Sequence, residues 1–412
     1  MRLPARSWTP LTLFLLALGA CLVFIVSFPL PEVKNDAVEY LALARNVAAG
    51  AGFSYDGATP AVYRPPLFSL LLGGWFAATG TSSVLSAAVF QSLVHALGVL
   101  AAFLLFLEVT RSRGWAFGGA IFLAVNPLLV TRVVFVLQEP TLLLFTTLAA
   151  WLSIRLVKAL SPGRAALAGA AWGLATLAKT VTGFAPFLLL GMGLLPGRWR
   201  VSWRGWEAAA LLVCFAAVIA PWTVRNYLHV QRFIVVNDQG EGLLEWNVEH
   251  ADPSGERLVA ELREKGVHGA ERRAALWRYV RENPWHFLGE RVVKNAVRFA
   301  APPRDWWIAQ GLVRPGEHRT SFWILSGLFH MPLYLFLLFR TWQWARGSVD
   351  PVFGFLALLY WSYWIEHAIL WGDPRFGLAV YPLLVCMVLP VGRGEGKGRI
   401  APLIEEPEPA AV

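Results

Sequence analysis

Residues 35–66, NDAVEYLALARNVAAGAGFSYDGATPAVYRPP, decide how the chain is read. They are the longest polar interruption in a sequence that is otherwise apolar as far as Arg225, and they set carboxylates, three tyrosines and two arginines between two hydrophobic runs. A segment of that kind is expected on a membrane surface, where charged groups are costly and by default functional. Asp36, Glu39 and Tyr40 stand at i, i+3 and i+4, so a helix starting here carries all three on one face. The same spacing also fits a capping box, with Asp36 and Glu39 closing free N–H groups at the start of a helix from Ala37 to Ala49. Gly50 and Gly52 would then stop that helix.

Outward from this stretch, the composition is that of a polytopic membrane protein: 56% of the 412 residues are hydrophobic and 15% charged, against about 25% charged in an average soluble chain. The net charge of +9 has a membrane explanation, because Arg and Lys crowd the short loops on one side. No basic helix with interleaved aromatics points to nucleic acid. Cys21, Cys214 and Cys386 each lie inside apolar runs, which implies neither a disulfide framework nor a metal site. Leu18 to Cys21 loosely fits a lipoprotein-processing site, but the apolar run continues through Val23 to Val26, which favours an uncleaved helix.

Counting about 20 apolar residues per crossing gives about ten crossings in an all-α fold. They are Pro10 to Leu30, Val84 to Glu108, Trp115 to Val133, Pro140 to Val157, Ala165 to Ala178, Thr182 to Leu195, Trp206 to Val224, Ser321 to Phe339, Val352 to Leu370 and Phe376 to Val391. The fifth and sixth are short. With the N-terminus inside, every inner segment is basic: Arg2 and Arg6; Arg111 and Arg113; Arg155, Lys158 and Arg164; Arg198, Arg200 and Arg204; Arg340 and Arg346; Arg393, Lys397 and Arg399. The acidic residues near membrane level then gather on the outer face. The organisation expected is a transmembrane module over 1–224 with a first outer loop at 31–66, an outer helical segment at 225–320, C-terminal transmembrane helices at 321–391 and a disordered cytoplasmic tail at 392–412. Leu67 to Gly80, apolar over about 14 residues, suits a helix lying in the interface or entering at a shallow angle better than a span, the alternative being an extended second crossing. In the outer segment, residues 271–299 read as two amphipathic helices broken at Pro284, and Trp277, Trp285, Trp306 and Trp307 suit the headgroup belt.

The candidates for chemistry beside Asp36 and Glu39 are Arg64 in YRPP, Glu139 before Pro140, Lys179 in LAKTVTG, Arg225 in APWTVRNY, and Asp373 with Arg375 in WGDPRF. A planar guanidinium held before two prolines suits a phosphate. Glu139 also suits the dipole at the start of a helix. The spacing in DPR favours a local ion pair, and His367 next to Glu366 reads as a hydrogen-bonded structural histidine. There is no glycine-rich phosphate loop, no HExxH and no GxSxG, which speaks against nucleotide hydrolysis and zinc chemistry.

Taken together, DAVEYLALARNVAAGAGF followed by YRPPLF, then LQEPTLLLF, LATLAKTVTG, APWTVRNY with VVNDQG, and DPRFGLAVYPLL form an ordered set. It resembles the GT-C fold membrane glycosyltransferases that include protein O-mannosyltransferases and the aminoarabinose transferase acting on lipid A. The resemblance implies a polyprenyl-phosphate-linked sugar donor used on the outer face of the cytoplasmic membrane, with inversion at the anomeric carbon. It implies Asp36 as the catalytic carboxylate, Glu139 as a second acidic residue and Arg64 as a donor-phosphate ligand. Lys179 and Arg225 are further phosphate candidates. Glu39, Tyr40 and Tyr63 are candidates for positioning the sugar or acceptor, which is a protein, lipid or glycan. No cofactor is required in this reading, and a divalent cation shared by Asp36 and Glu139 is an optional element. The alternative from another class is a transporter or flippase of a lipid-linked saccharide.

Overall fold

The computed structural model describes residues 8–195, 200–301, 319–346 and 351–390. The expected tail at 392–412 and the belt residues Trp306 and Trp307 lie outside these residues. Helices α1 (Trp8–Ser27), α4 (Val84–Thr110), α7 (Glu139–Lys158) and α10 (Gly205–Val230) are long and apolar enough to cross a bilayer. A fifth crossing follows if α5 (Arg113–Ala124) and the stretch beginning with α6 (Pro127–Val130) count as one span bent by 49°. Asn126 sits at that bend, its Oδ1 accepting from the Leu128 N–H at 2.9 Å, and Pro127 starts the new helix. α1 runs unbroken through Cys21.

The fifth, sixth and tenth expected crossings are shorter or interrupted, so length and composition alone do not establish a count of ten. The fifth becomes α8 (Pro162–Ala178) and the sixth a chain of single turns around α9 (Ala185–Gly191), where Pro186 and glycines interrupt regular hydrogen bonding. α8 packs closely along α10: a Cβ on Gly169 would sit 2.1 Å from the Leu211 carbonyl oxygen, so only glycine admits this approach. Towards the C-terminus, α15 (Arg319–Ala345) and α16 (Pro351–Ile369) cover the eighth and ninth. The tenth divides into α17 (Pro374–Leu378) and α18 (Tyr381–Val388).

Outside the bundle, α2 (Asp36–Ala48) and α3 (Leu67–Thr79) lie against each other. α2 buries Ala37, Tyr40, Leu41 and Ala44 in a cluster with Phe68, Leu72 and Phe76 of α3 and with Val133 to Leu137. Gly73 lets the two helices meet, since a Cβ there would lie 2.6 Å from the Val47 side chain. α3 is the short helix expected at the interface. The segment after α10 forms α11 (Gly240–Glu249), α12 (Pro253–Glu264) and α13 (Gly269–Glu282) around a small core of Val248, Val259, Leu262 and Leu276. After Pro284 a π-helical turn, His286–Val292, leads into α14 (Val293–Ala300), the break expected from the sequence. Among the described residues the only β pairing is an isolated bridge between Ser54 and Pro60.

Candidate active site

Asp36 is the first residue of α2, yet neither it nor Glu39 caps that helix. The N-cap is Asn35, with φ 51° and no side-chain cap hydrogen bond. That left-handed φ is unusual for a residue with a Cβ, and the Asp36 carboxylate has other partners. Arg64 Nη2 donates to Asp36 Oδ1 at 2.8 Å and Arg375 Nη2 donates to Asp36 Oδ2 at 2.9 Å, so one arginine holds each oxygen. Burial would push the Asp36 carboxyl up, but the charges of Arg375 and then Arg64 outweigh it and hold the group below the usual carboxylate range.

The arginines arrive from opposite ends of the chain. Arg64 precedes Pro65 and Pro66, which set the entry to α3. Its Nε donates to Glu39 Oε2 at 2.6 Å, and its guanidinium lies between two rings, 5.3 Å from the Tyr40 centroid and 5.1 Å from that of Tyr63. Glu39 Oε2 also accepts from Tyr55 Oη at 3.3 Å. Arg375 is in the first turn of α17, capped by Asp373, whose Oδ1 accepts from the Arg375 N–H at 2.9 Å. The local Asp373 pair expected from the sequence exists, at 3.9 Å from Arg375 Nε, but it is the longer contact. On its far side Arg375 Nε stands 3.8 Å from Glu139 Oε1. Glu139 opens α7 and is 5% exposed, and its Oε2 has no hydrogen-bond partner among the described residues.

Lys179 follows α8 as its extended C-cap, with its ammonium 3.2 Å from the Phe376 ring centroid. That nitrogen is buried and makes no hydrogen bond among the described residues. Burial pulls it down to about 7, against the pull of Glu139, which favours the charged form. Beside Asp36 a pocket opens between residues 31–37 and 134–137, with Arg375 on its wall and Val134, Phe135, Val136 and Leu137 as an apolar side.

The structure therefore brings Asp36, Glu39, Tyr40, Tyr63, Arg64 and Glu139 together and adds Arg375, with Lys179 next to Phe376. Tyr40 is 2% exposed and packs its ring against Arg64 and Phe68, so its face is closed to a sugar. Tyr63 and Tyr55 are 41% and 37% exposed. Arg225 is held elsewhere. Its Nη1 donates to the Ala61 carbonyl at 2.6 Å and its Nη2 to the Phe53 carbonyl at 2.9 Å, clasping the base of the loop that leads to Arg64. That loop is closed by Asp56, which accepts from the N–H groups of Ala58 and Thr59. The segment after α10 is laced to the same loop: Asn237 Nδ2 donates to the Tyr63 carbonyl at 3.2 Å and the Asp238 N–H to the Val62 carbonyl at 2.9 Å. His367 is buried with Nδ1 at 2.8 Å from the Tyr363 carbonyl, as a structural histidine should be.

Residues 63–224 match the family model described as dolichyl-phosphate-mannose-protein mannosyltransferase. No curated protein matches the chain. Among solved structures, the Archaeoglobus fulgidus oligosaccharyltransferase AglB, in complex with an inhibitory peptide and a dolichol-phosphate, superposes with a TM-score of 0.56 at 14% identity, over 93% of this chain and 50% of that one. The A. fulgidus oligosaccharyltransferase in complex with Zn and sulfate gives 0.54 at 13% identity, over 91% and 48%. ArnT from Cupriavidus metallidurans bound to undecaprenyl phosphate gives 0.45 at 14% identity, over 93% and 78%. The chain thus spans about half the length of the AglB structures. The all-α GT-C fold expected from the sequence, and the resemblance to membrane glycosyltransferases, are borne out.

Proposed function

We propose that the chain is an inverting glycosyltransferase that moves a sugar from a polyprenyl-phosphate donor to an acceptor hydroxyl at the outer face of the cytoplasmic membrane. The observation that carries this reading is the Asp36 carboxylate held by Arg64 and Arg375 at 2.8 and 2.9 Å beside a pocket with an apolar wall. A phosphate-linked sugar has a leaving group of low basicity, so its departure needs fixed positive charge more than a general acid. Arg64 and Lys179 supply that charge. AglB has been solved with a dolichol-phosphate, which agrees with a lipid-phosphate donor.

In the transfer, the acceptor oxygen attacks the anomeric carbon from the face opposite the phosphate. The bond from that carbon to the phosphate oxygen breaks, polyprenyl phosphate leaves with the electron pair, and the hydroxyl proton passes to Asp36. Held down by two arginines, Asp36 is a poor base in the free protein. The incoming phosphate offsets part of their charge, so the carboxylate gains basicity when the donor is bound. Glu139, with one oxygen lacking a hydrogen-bond partner among the described residues, accepts a hydrogen bond from the sugar or acceptor. Glu39 and Tyr40 hold Arg64, and exposed Tyr63 faces the approach of the acceptor. Arg225 is a positioning residue that acts through the loop.

The experiment is incubation of the purified protein with a panel of radiolabelled polyprenyl-phosphate sugars and mixed acceptors, with free polyprenyl phosphate as the readout. Release that Asp36→Asn abolishes supports the enzyme. Absence of release across the panel, together with movement of labelled donor between the leaflets of proteoliposomes, would establish the transporter instead.

A further inference from the structure

Asp36 and Glu139 are the two carboxylates that a shared divalent cation would bridge. Such an ion needs oxygens at about 2.0–2.6 Å from its centre and several of them. The place between the two is taken by a protein group: Arg375 reaches Asp36 Oδ2 with Nη2 at 2.9 Å and stands 3.8 Å from Glu139 Oε1 with Nε. Its side chain is 16% exposed, and its backbone is fixed because Asp373 caps α17 at that residue. The other nearby carboxylates are engaged, Glu39 with Arg64 and Asp373 in that cap. Among the described residues no group of three or more His, Cys, Asp or Glu is placed to hold a metal ion. A guanidinium stays protonated at any working pH, so the position is filled by charge as well as by volume.

We infer that Arg375 is a fixed cation standing in for a divalent metal: it is hydrogen-bonded to Asp36 and sets its charge beside Glu139 without a hydrogen bond to it among the described residues, and the transfer proceeds with no metal between them. The assignment rests on the glycosyl transfer proposed above for its catalytic meaning, but the site itself can be tested without a sugar. Arg375 acts through Asp36, as a positioning residue.

The test is titration of the purified full chain with Mn²⁺, followed by electron paramagnetic resonance of the free ion, in wild type, Asp36→Asn, Arg375→Ala and Arg375→Lys. Donor turnover is measured in parallel with and without a chelator. The expected results are no stoichiometric Mn²⁺ binding by wild type, turnover unchanged by chelator, and a loss of about a hundredfold in Arg375→Ala. Arg375→Lys, which keeps charge without the fork, should unfold as wild type does and recover part of that loss. Stoichiometric Mn²⁺ binding by wild type that Asp36→Asn removes would overturn the inference, as would turnover lost in chelator and restored by Mn²⁺. A protein with no turnover on any donor would overturn the proposed function alone, since the Mn²⁺ titration is read without donor.

Discussion

Asp36 and Arg375 stand 339 positions apart in the chain and meet at 2.9 Å. The contact joins the start of α2 to the start of α17, so the carboxylate's direction depends on both ends of the fold. Asp36→Asn preserves shape and removes the charge that both arginines bind. Transfer is expected to fall by about 10²–10⁴-fold, the range of a lost general base. Stability should drop by only about 1–2 kcal/mol, because the group is partly exposed and the amide oxygen still accepts from one of the two arginines. Single-turnover rates and thermal unfolding in detergent check both, and transfer at the wild-type rate would remove Asp36 as the base.

The lowered pKa of Asp36 sets a direction for pH. Burial opposes it, but the charges of Arg375 and Arg64 keep the folded-state value below the ordinary 3.8. Its stabilising contribution is therefore complete above the unfolded value and disappears as pH falls through the lower folded one. The difference in unfolding midpoint between wild type and Asp36→Asn should be constant from neutral pH down to about 5 and close only below about 4. A difference that closes around pH 6 would mean that the two arginines do not control this carboxylate.

Much of this site was legible because its determinants are local. The i, i+3, i+4 spacing of Asp36, Glu39 and Tyr40 and the prolines after Arg64 constrain their own neighbourhoods, and the structure brings these residues together. Arg375 was visible as a charged residue at a membrane boundary, but the DPR spacing also offered a local partner, and nothing in a local pattern signals a bond to residue 36. The capping box failed for a physical reason: Asn35 adopts φ 51° and becomes the N-cap, leaving Asp36 to the arginines. The span count was the least legible part, since single turns around Pro186 and Gly191 break a run that hydropathy reads as continuous.

Arg225 separates a clasp from a phosphate ligand. Its two terminal nitrogens bind the Ala61 and Phe53 carbonyls, a geometry that the single ammonium of lysine cannot reproduce. Arg225→Lys and Arg225→Ala should both raise hydrogen exchange across residues 53–63 and lower transfer by about tenfold, in line with the loss of about 1.4 kcal/mol of positioning. The affinity for polyprenyl phosphate, measured separately, should remain within about twofold of wild type. Unchanged exchange together with weakened phosphate binding would return Arg225 to the donor site.

Lys179 sets function against stability. A buried ammonium without a hydrogen-bond partner among the described residues, held over Phe376, destabilises the fold unless a substrate pairs with it. Lys179→Met keeps the volume and removes that burden, so the unfolding free energy should rise by about 1–2 kcal/mol while transfer falls by about a hundredfold. The sign with pH follows from the displacement to about 7 from 10.5. The unfolded state binds the extra proton between those values, so the wild-type penalty is greatest below pH 7 and fades as pH rises. The advantage of Lys179→Met should accordingly be larger at pH 6 than at pH 9. A variant less stable than wild type at both pH values would show that Lys179 is already paired in the resting protein, and its assignment to the donor phosphate would fail.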